Sequence, residues 1–192
     1  MSSVTSIVRN VRPRTLNKAF TGIDPNQSYD LELSNRLVAP SIGRSDCDLG
    51  ERFHQALNRS IHGGWVERQF WPYARVLKDW LKDIGVSQIW SEWEFRSAPV
   101  KGCADLLVAG GPNHRGVVEI KLVNKIPEFP AQDDLAQLGM YVCLAAGRFG
   151  DYQRYWGGLA YVHPYSRTIR IFEFSSAAPL CQAANTLIAS RS

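Results

Sequence analysis

The chain has 192 residues, of which 45% are hydrophobic, and a formal net charge of +4 at pH 7. This length favours one domain with a single buried core over two domains. No apolar run approaches the roughly 20 residues that a membrane-spanning helix requires, so the sequence excludes a protein that crosses a membrane as a helix.

Residues 1–45 are rich in Ser, Asn, Pro and Arg, and we predict a basic arm or irregular lead-in there, before a domain over residues 46–192. Residues 1–23 contain no acid but include the basic side chains Arg9, Arg12, Arg14 and Lys18. Such an arm suits contact with a polyanion such as nucleic acid, although a solvated terminus explains the charge equally well. The same composition resembles an organellar transit peptide, which we rank second to a cytoplasmic location.

The cysteines are scattered through the chain as Cys47, Cys103, Cys143 and Cys181. They form no C-x-x-C pair, and no His follows at zinc-finger spacing. We therefore expect reduced thiols in a cytoplasmic protein.

Apolar periodicity predicts an ordered series of helices and strands after the lead-in. Helical spacing runs from Asp48, the expected N-cap, to the pair Gly63 and Gly64, and again from Pro72 to Gly85. The later elements are strands at 86–95, 102–109 and 115–123, a helix at 131–147, strands near 155–162 and 168–174, and a helix at 176–190. This order predicts an α/β sandwich around a mixed sheet.

Charged side chains interrupt two of the predicted apolar strands. Asp105 lies in one strand, and Glu119 and Lys121 share a face of the next because alternate strand residues point the same way. A surface salt bridge explains an isolated Glu and Lys pair without any function. A hairpin that brings Asp105 beside Glu119 favours a metal site, because adjacent carboxylates repel unless a divalent cation lies between them.

Mg²⁺ or Mn²⁺ suits such a pair, because these hard cations prefer oxygen ligands and bridge to substrate phosphate. The cation would polarise a scissile phosphate and lower the pKa of bound water. Lys121 would orient or deprotonate that water and neutralise developing charge. The backbone carbonyl of Ile120 would add a further metal ligand.

Four motifs resemble the PD-(D/E)XK nuclease superfamily and, within it, the RecB-like branch. They are G-x-x-D at 102–105, E-x-K at 119–121, LGERFHQAL at 49–57 and QLGMY at 137–141. The resemblance implies a restriction-endonuclease-like αβββαβ core, with a mixed sheet flanked by helices.

The resemblance also implies roles for individual side chains. His54, Asp105 and Glu119 would be metal ligands, and Lys121 would be the catalytic lysine. Gln137 and Tyr141 would contact DNA or brace the site, although two residues four apart on a helix are also an ordinary stabilising pair. Without the resemblance, His54 is explained as a histidine at the boundary of an apolar helix face.

Further candidates lie outside these motifs. Glu94 is a candidate additional acid, preferred to Glu92 because it is nearer the end of its strand that leads to the next; a solvated strand face is the alternative. Arg52, Arg59 and Arg68 are candidate contacts to a nucleic-acid backbone, with a solvated helix surface as the alternative.

These features predict a metal-dependent deoxyribonuclease, an exonuclease or another enzyme directed at single strands or duplex ends. Two alternatives stay open: a catalytically inactive nucleic-acid-binding module with the nuclease fold, and a structure-specific endonuclease. Several RecB-like nucleases hold an iron–sulfur cluster with cysteines clustered near the C-terminus, and we predict no cluster because that group is absent here. We expect any helicase or recombination partner to be a separate chain.

Overall fold

Seven strands form one mixed sheet within the residues that the computed structural model describes, which are 2–33, 46–97, 100–163 and 168–189. The strands are β1 (Ser2–Ser3), β2 (Gln27–Glu32), β3 (Val86–Ser97), β4 (Val100–Gly110), β5 (Arg115–Leu122), β6 (Tyr155–His163) and β7 (Thr168–Phe174). The helices are α1 (Val4–Arg9), α2 (Pro13–Phe20), α3 (Asp46–Ile61), α4 (Trp71–Asp83), α5 (Gln132–Phe149) and α6 (Ala178–Ala189).

Strand pairing along β4 leaves a gap in the sheet. β3 pairs antiparallel with one edge of β4 along nearly its whole length. On the other edge, β5 pairs only with residues 106–109, and β1 pairs with residues 100 and 101. Among the described strands, none pairs with residues 102–105 on that edge. β5 continues the sheet through β6, β7 and β2, with β5 and β6 parallel.

Helices cover both faces of the sheet, which explains its nearly continuous apolar strands. Leu107 and Val117 pack on one side with α1, α2, α5 and α6, whereas Leu106 and Val118 pack on the other with α3 and α4. This sheet flanked by helices confirms the predicted α/β class. The order α4, β3, β4, β5, α5, β6 is compatible with a restriction-endonuclease-like core.

The predicted elements after the lead-in are confirmed, with small shifts at their ends. α3 begins at Asp46 rather than at Asp48, and α4 carries Pro72 in its first turn, where a missing N–H leaves no hydrogen bond unmade. Gly110 and Gly111 both have a φ of +89°, which allows the tight connection from β4 to β5. Among the described helices, none is both long and apolar enough to cross a membrane.

The N-terminal segment belongs to the fold. α1 and α2 bury Val4, Ile7 and Phe20 in the core that contains α5 and α6. β2 pairs with β7 over all of its residues. The prediction of irregular structure over residues 1–45 is therefore wrong for residues 2–33. The helices and the strand of this segment are short, so their apolar residues show no clear period in the sequence. Residues 34–45 lie outside the described residues.

Two cysteines are paired rather than reduced. Cys143 on α5 and Cys181 on α6 form a disulfide, and their Cα atoms lie 5.3 Å apart, which is an ordinary separation for such a bond. The expectation of reduced thiols is wrong for this pair. The two cysteines meet because α5 packs against α6, and a separation of 38 residues in the sequence gives no sign of that contact. Cys103 is a free thiol.

Candidate active site

The gap between β4 and β5 is bridged by two carboxylates. The backbone N–H of Ile120 donates to Asp105 Oδ2 at 2.7 Å, and the backbone N–H of Asp105 donates to Glu119 Oε1 at 3.2 Å. These side chains replace the backbone ladder where the strands diverge. The structure thus brings Asp105 and Glu119 together, as the hairpin predicted.

Glu119 carries its carboxyl group into the protein interior, where the side chain is only 1% exposed. Burial raises the pKa of Glu119, the Asp105 carboxylate raises it further, and Lys121 partly offsets both, so that the pKa stands at about 8. A carboxyl group in this position is costly to ionise in the absence of a cation.

Lys121 lies among oxygen atoms on the same side of the sheet. Its Nζ is 3.3 Å from Glu119 Oε2, 2.7 Å from Gln137 Oε1 and 4.0 Å from Asp134 Oδ1. Burial opposes the charge of Lys121, but the neighbouring carboxylates outweigh it and hold the pKa of the lysine above its ordinary value. The side chain is therefore an ammonium group in a fixed position.

His54 reaches the site from α3, on the opposite side of the sheet from α5. Its Nδ1 is 3.1 Å from Asp105 Oδ1. Burial lowers the pKa of His54, but the hydrogen bond and charge of Asp105 outweigh burial and raise it overall, with a smaller contribution from Glu92. Two helices on opposite faces thus supply side chains to the carboxylate pair.

Gln137 and Tyr141 brace the lysine from α5. Gln137 accepts the hydrogen bond from Lys121 and donates to the Tyr141 hydroxyl at 3.5 Å. Tyr141 is buried, and a Cβ atom at Gly102 would lie 2.5 Å from its ring. Gly102, the first residue of the G-x-x-D motif, is therefore the position that lets the ring pack against β4.

Asp134 is a site residue that the sequence analysis missed. It lies near Lys121 and accepts a hydrogen bond from the Tyr161 hydroxyl at 2.7 Å. Burial raises the pKa of Asp134, against the effects of Tyr161 and Lys121. The sequence does hold a signal for Asp134, because it precedes Gln137 by nearly one helical turn and so lies on the same side of α5. An acid in the first turn of a helix is, however, also expected because it stabilises the helix.

The structure distinguishes Glu92 from Glu94, the candidate additional acid. The Glu94 side chain is 64% exposed and pairs with Arg96 at 2.9 Å. Glu92 instead lies between Ser91 and Trp93, whose partners on β4 flank Asp105. It accepts a hydrogen bond from Asn58 and has a left-handed φ of +51°. The left-handed φ at Glu92 interrupts the regular alternation of β3, and the Glu92 charge helps to raise the pKa of His54, whereas a role for Glu94 stays a prediction.

The three candidate arginines have different surroundings. Arg52 donates to Glu67 at 2.5 Å and lies over the Phe70 ring, so it fastens the loop before α4 to α3. Arg59 is on the last turn of α3, and Arg68 lines a cleft beside that turn. A contact to nucleic acid remains a prediction for all three.

The donor set suits a hard divalent cation. Asp105 and Glu119 offer carboxylate oxygens, Ile120 a carbonyl and His54 an imidazole. Burial and the Asp105 carboxylate raise the pKa of Glu119, so a cation beside it would favour its ionised form. In the conformation seen, the carboxylates are engaged by backbone N–H groups and by His54 and Lys121. Across the described residues, no group of three or more His, Cys, Asp or Glu side chains is arranged to hold an ion.

No family model and no curated protein matches the chain. Among solved structures, the chain is similar to SSO0001, with a TM-score of 0.40 and 19% identity over 78% of this chain and 62% of that one. It is also similar to an alkaline exonuclease from Laribacter hongkongensis, with a TM-score of 0.37 and 14% identity over 78% of this chain and 81% of that one. The chain thus spans less than two thirds of the length of SSO0001.

Proposed function

We propose that this chain is a metal-dependent nuclease that hydrolyses phosphodiester bonds in DNA, acting on single strands or duplex ends. The observation that carries the proposal is the carboxylate pair in the β4–β5 gap, with a lysine ammonium beside it. An arrangement that buries an acid next to another acid destabilises a fold, so its presence is better explained by chemistry than by stability.

The residues divide the chemical work. Asp105, Glu119 and the Ile120 carbonyl would hold Mg²⁺ or Mn²⁺, with His54 at the edge of the set. When bound, the cation supplies a Lewis acid for the phosphate ester. Lys121 holds a positive charge in place for the negative charge that develops on the phosphate, and its ammonium can also position an attacking water.

Gln137 and Asp134 hold Lys121 in position through its ammonium group. A long lysine side chain loses rotamer freedom when it is fixed, and these two acceptors oppose that loss. They leave the lysine directed at the carboxylate pair, where a phosphate would lie. Both are positioning residues, because they act on the reaction through Lys121.

The proposal is tested with end-labelled linear DNA, single-stranded and duplex, and with circular DNA, each incubated with Mg²⁺, Mn²⁺ or EDTA. We expect cleavage of the linear substrates that EDTA abolishes. Cleavage of circular DNA at a comparable rate would instead identify an endonuclease. Binding of DNA without cleavage under every metal condition would favour the inactive module.

Variants assign the chemistry to this site. Asp105→Asn and Lys121→Ala are expected to lower the cleavage rate by at least about 100-fold, as for loss of a group that stabilises the transition state. Lys125→Ala is a matched control, because this exposed side chain lies just after β5, the strand that carries Lys121. Thermal unfolding of each variant confirms that the fold is kept.

A further inference from the structure

A cleft of about 610 Å³ lies between the end of α3 and the start of α4, outside the carboxylate site. Trp65 and Trp71 line it, with 74% and 42% of their surfaces exposed. Other tryptophans of the chain, such as Trp80 and Trp156, are buried in the core. The two indoles leave apolar ring faces exposed to water at one cleft. Such exposure indicates a binding surface rather than core packing.

The cleft is positively charged. Arg68 and Lys78 line it, and the Arg75 guanidinium, which also pairs with Asp79 at 3.6 Å, lies 5.3 Å from the centre of the Trp71 ring. None of the described lining residues is acidic. Glu67, the acid in the same loop, is already neutralised by Arg52, whose hydrogen bond lowers the pKa of Glu67. A ligand for this cleft should therefore be anionic.

The cleft is fixed relative to the helix that carries His54. Phe70 packs against Phe53 with ring centres 5.8 Å apart, and Lys78 Nζ donates to the Ser60 carbonyl at 2.9 Å. Ser60 lines the cleft and lies on the same helix as His54, about 9 Å further along the axis at 1.5 Å per residue. The cleft thus lies beside the helix that supplies His54, less than two helical turns further along it.

We propose that this cleft binds an unpaired stretch of polynucleotide, with bases stacked on Trp65 and Trp71 and phosphates near Arg68 and Lys78. The inference rests on the proposed function, because it names the form of substrate that the same enzyme holds. Aromatic rings beside cations bind single strands without reading sequence. Bases within a duplex have their faces covered by neighbouring pairs and offer nothing to the indoles.

Binding is measured by fluorescence anisotropy in EDTA, where no cleavage is needed. The probes are labelled oligothymidylate and oligouridylate of about 20 nucleotides, longer than a typical single-strand site, and a blunt DNA duplex of the same length. The variant Trp65→Ala/Trp71→Ala should bind the single strands at least about tenfold more weakly than the parent. The two single strands show whether DNA or RNA is preferred, since both offer the same stacking chemistry.

The controls are an exposed tryptophan and an exposed arginine on the other face of the sheet. Trp90→Ala removes an indole that is 37% exposed, and Arg154→Ala removes a charge just before β6. Both should bind as the parent does. Unchanged affinity in Trp65→Ala/Trp71→Ala, an equal loss in Trp90→Ala, or an equal loss for blunt duplex would overturn the proposal.

A small substrate separates this proposal from the proposed function. The p-nitrophenyl ester of thymidine 5′-monophosphate carries a single nucleotide, so it cannot occupy the carboxylate site and also supply a run of bases and phosphates to the cleft. Its Mn²⁺-dependent hydrolysis should be the same in the parent and in Trp65→Ala/Trp71→Ala. If no hydrolysis occurs in either protein while the single strands still bind through the indoles, the nuclease assignment fails and the cleft assignment stands.

Discussion

Glu119→Gln should stabilise the metal-free protein while it abolishes cleavage. In the unfolded chain this carboxyl group ionises near its ordinary pKa of 4.5, whereas burial and the Asp105 carboxylate raise its folded pKa to about 8. At pH 7 folding must therefore protonate it, at a cost of roughly 3 kcal/mol. A glutamine avoids this cost and can still accept the hydrogen bond from the Asp105 N–H.

The sign of the effect fixes its pH window. A raised folded pKa means that the acid destabilises the fold above pH 4.5, and that the penalty grows until about pH 8. The variant should thus unfold with the parent near pH 4.5. At pH 7 in EDTA it should unfold roughly 6 to 12 °C higher, on the size scaling for a chain of this length.

Calorimetry or circular dichroism across this pH range measures the difference. Glu173→Gln is the matched control, because Glu173 is also buried but accepts hydrogen bonds from Tyr29 and Ser175, and we expect no stabilisation from its replacement. A Glu119→Gln protein that is no more stable than the parent at pH 7, or whose gain persists at pH 4.5, would refute the electrostatic reasoning.

Three other substitutions test contacts of α5 with the lysine, with β4 and with α6. Gln137→Ala should lower the cleavage rate roughly 10-fold or more with little change in DNA affinity, because the lysine ammonium loses the acceptor that holds it in position. Gln55→Ala, on an exposed helix face, is the control. Gly102→Ala should lower the unfolding free energy by about 1–3 kcal/mol, since its methyl group would overlap the ring packed against it, and denaturant titration measures this. Replacing Cys143 and Cys181 by Ser should cost about 4 kcal/mol, from the 38-residue separation that the disulfide closes, and a parent equally sensitive to denaturant with and without reductant would contradict this.

The central strands and the acids on them could be predicted because both signals are local. Alternation along a strand fixes which side chains share a face, and the short turn after β4 fixes their partners across the hairpin. Asp105, Glu119 and Lys121 are neighbours for that reason. The helix after the third strand, which carries Gln137 and Tyr141, could also be predicted from its apolar period.

The features that could not be predicted from the sequence depend on packing between distant segments. Whether Val4 and Phe20 are buried is decided by a helix pair more than a hundred residues away in the chain. The Cys143–Cys181 bond likewise needs two helices to meet, and Glu92 is placed by a bend whose left-handed φ no strand pattern predicts. The cleft beside Trp65 arises from the folding back of one loop onto α3.

The most direct test of the central claim is hydrolysis of end-labelled single-stranded DNA by the parent protein and by Asp105→Asn and Lys121→Ala. We expect cleavage by the parent that requires Mg²⁺ or Mn²⁺ and stops with EDTA. We also expect a loss of at least about 100-fold in both variants, with Lys125→Ala unaffected. Metal-dependent cleavage that survives either substitution would contradict the assignment of this site.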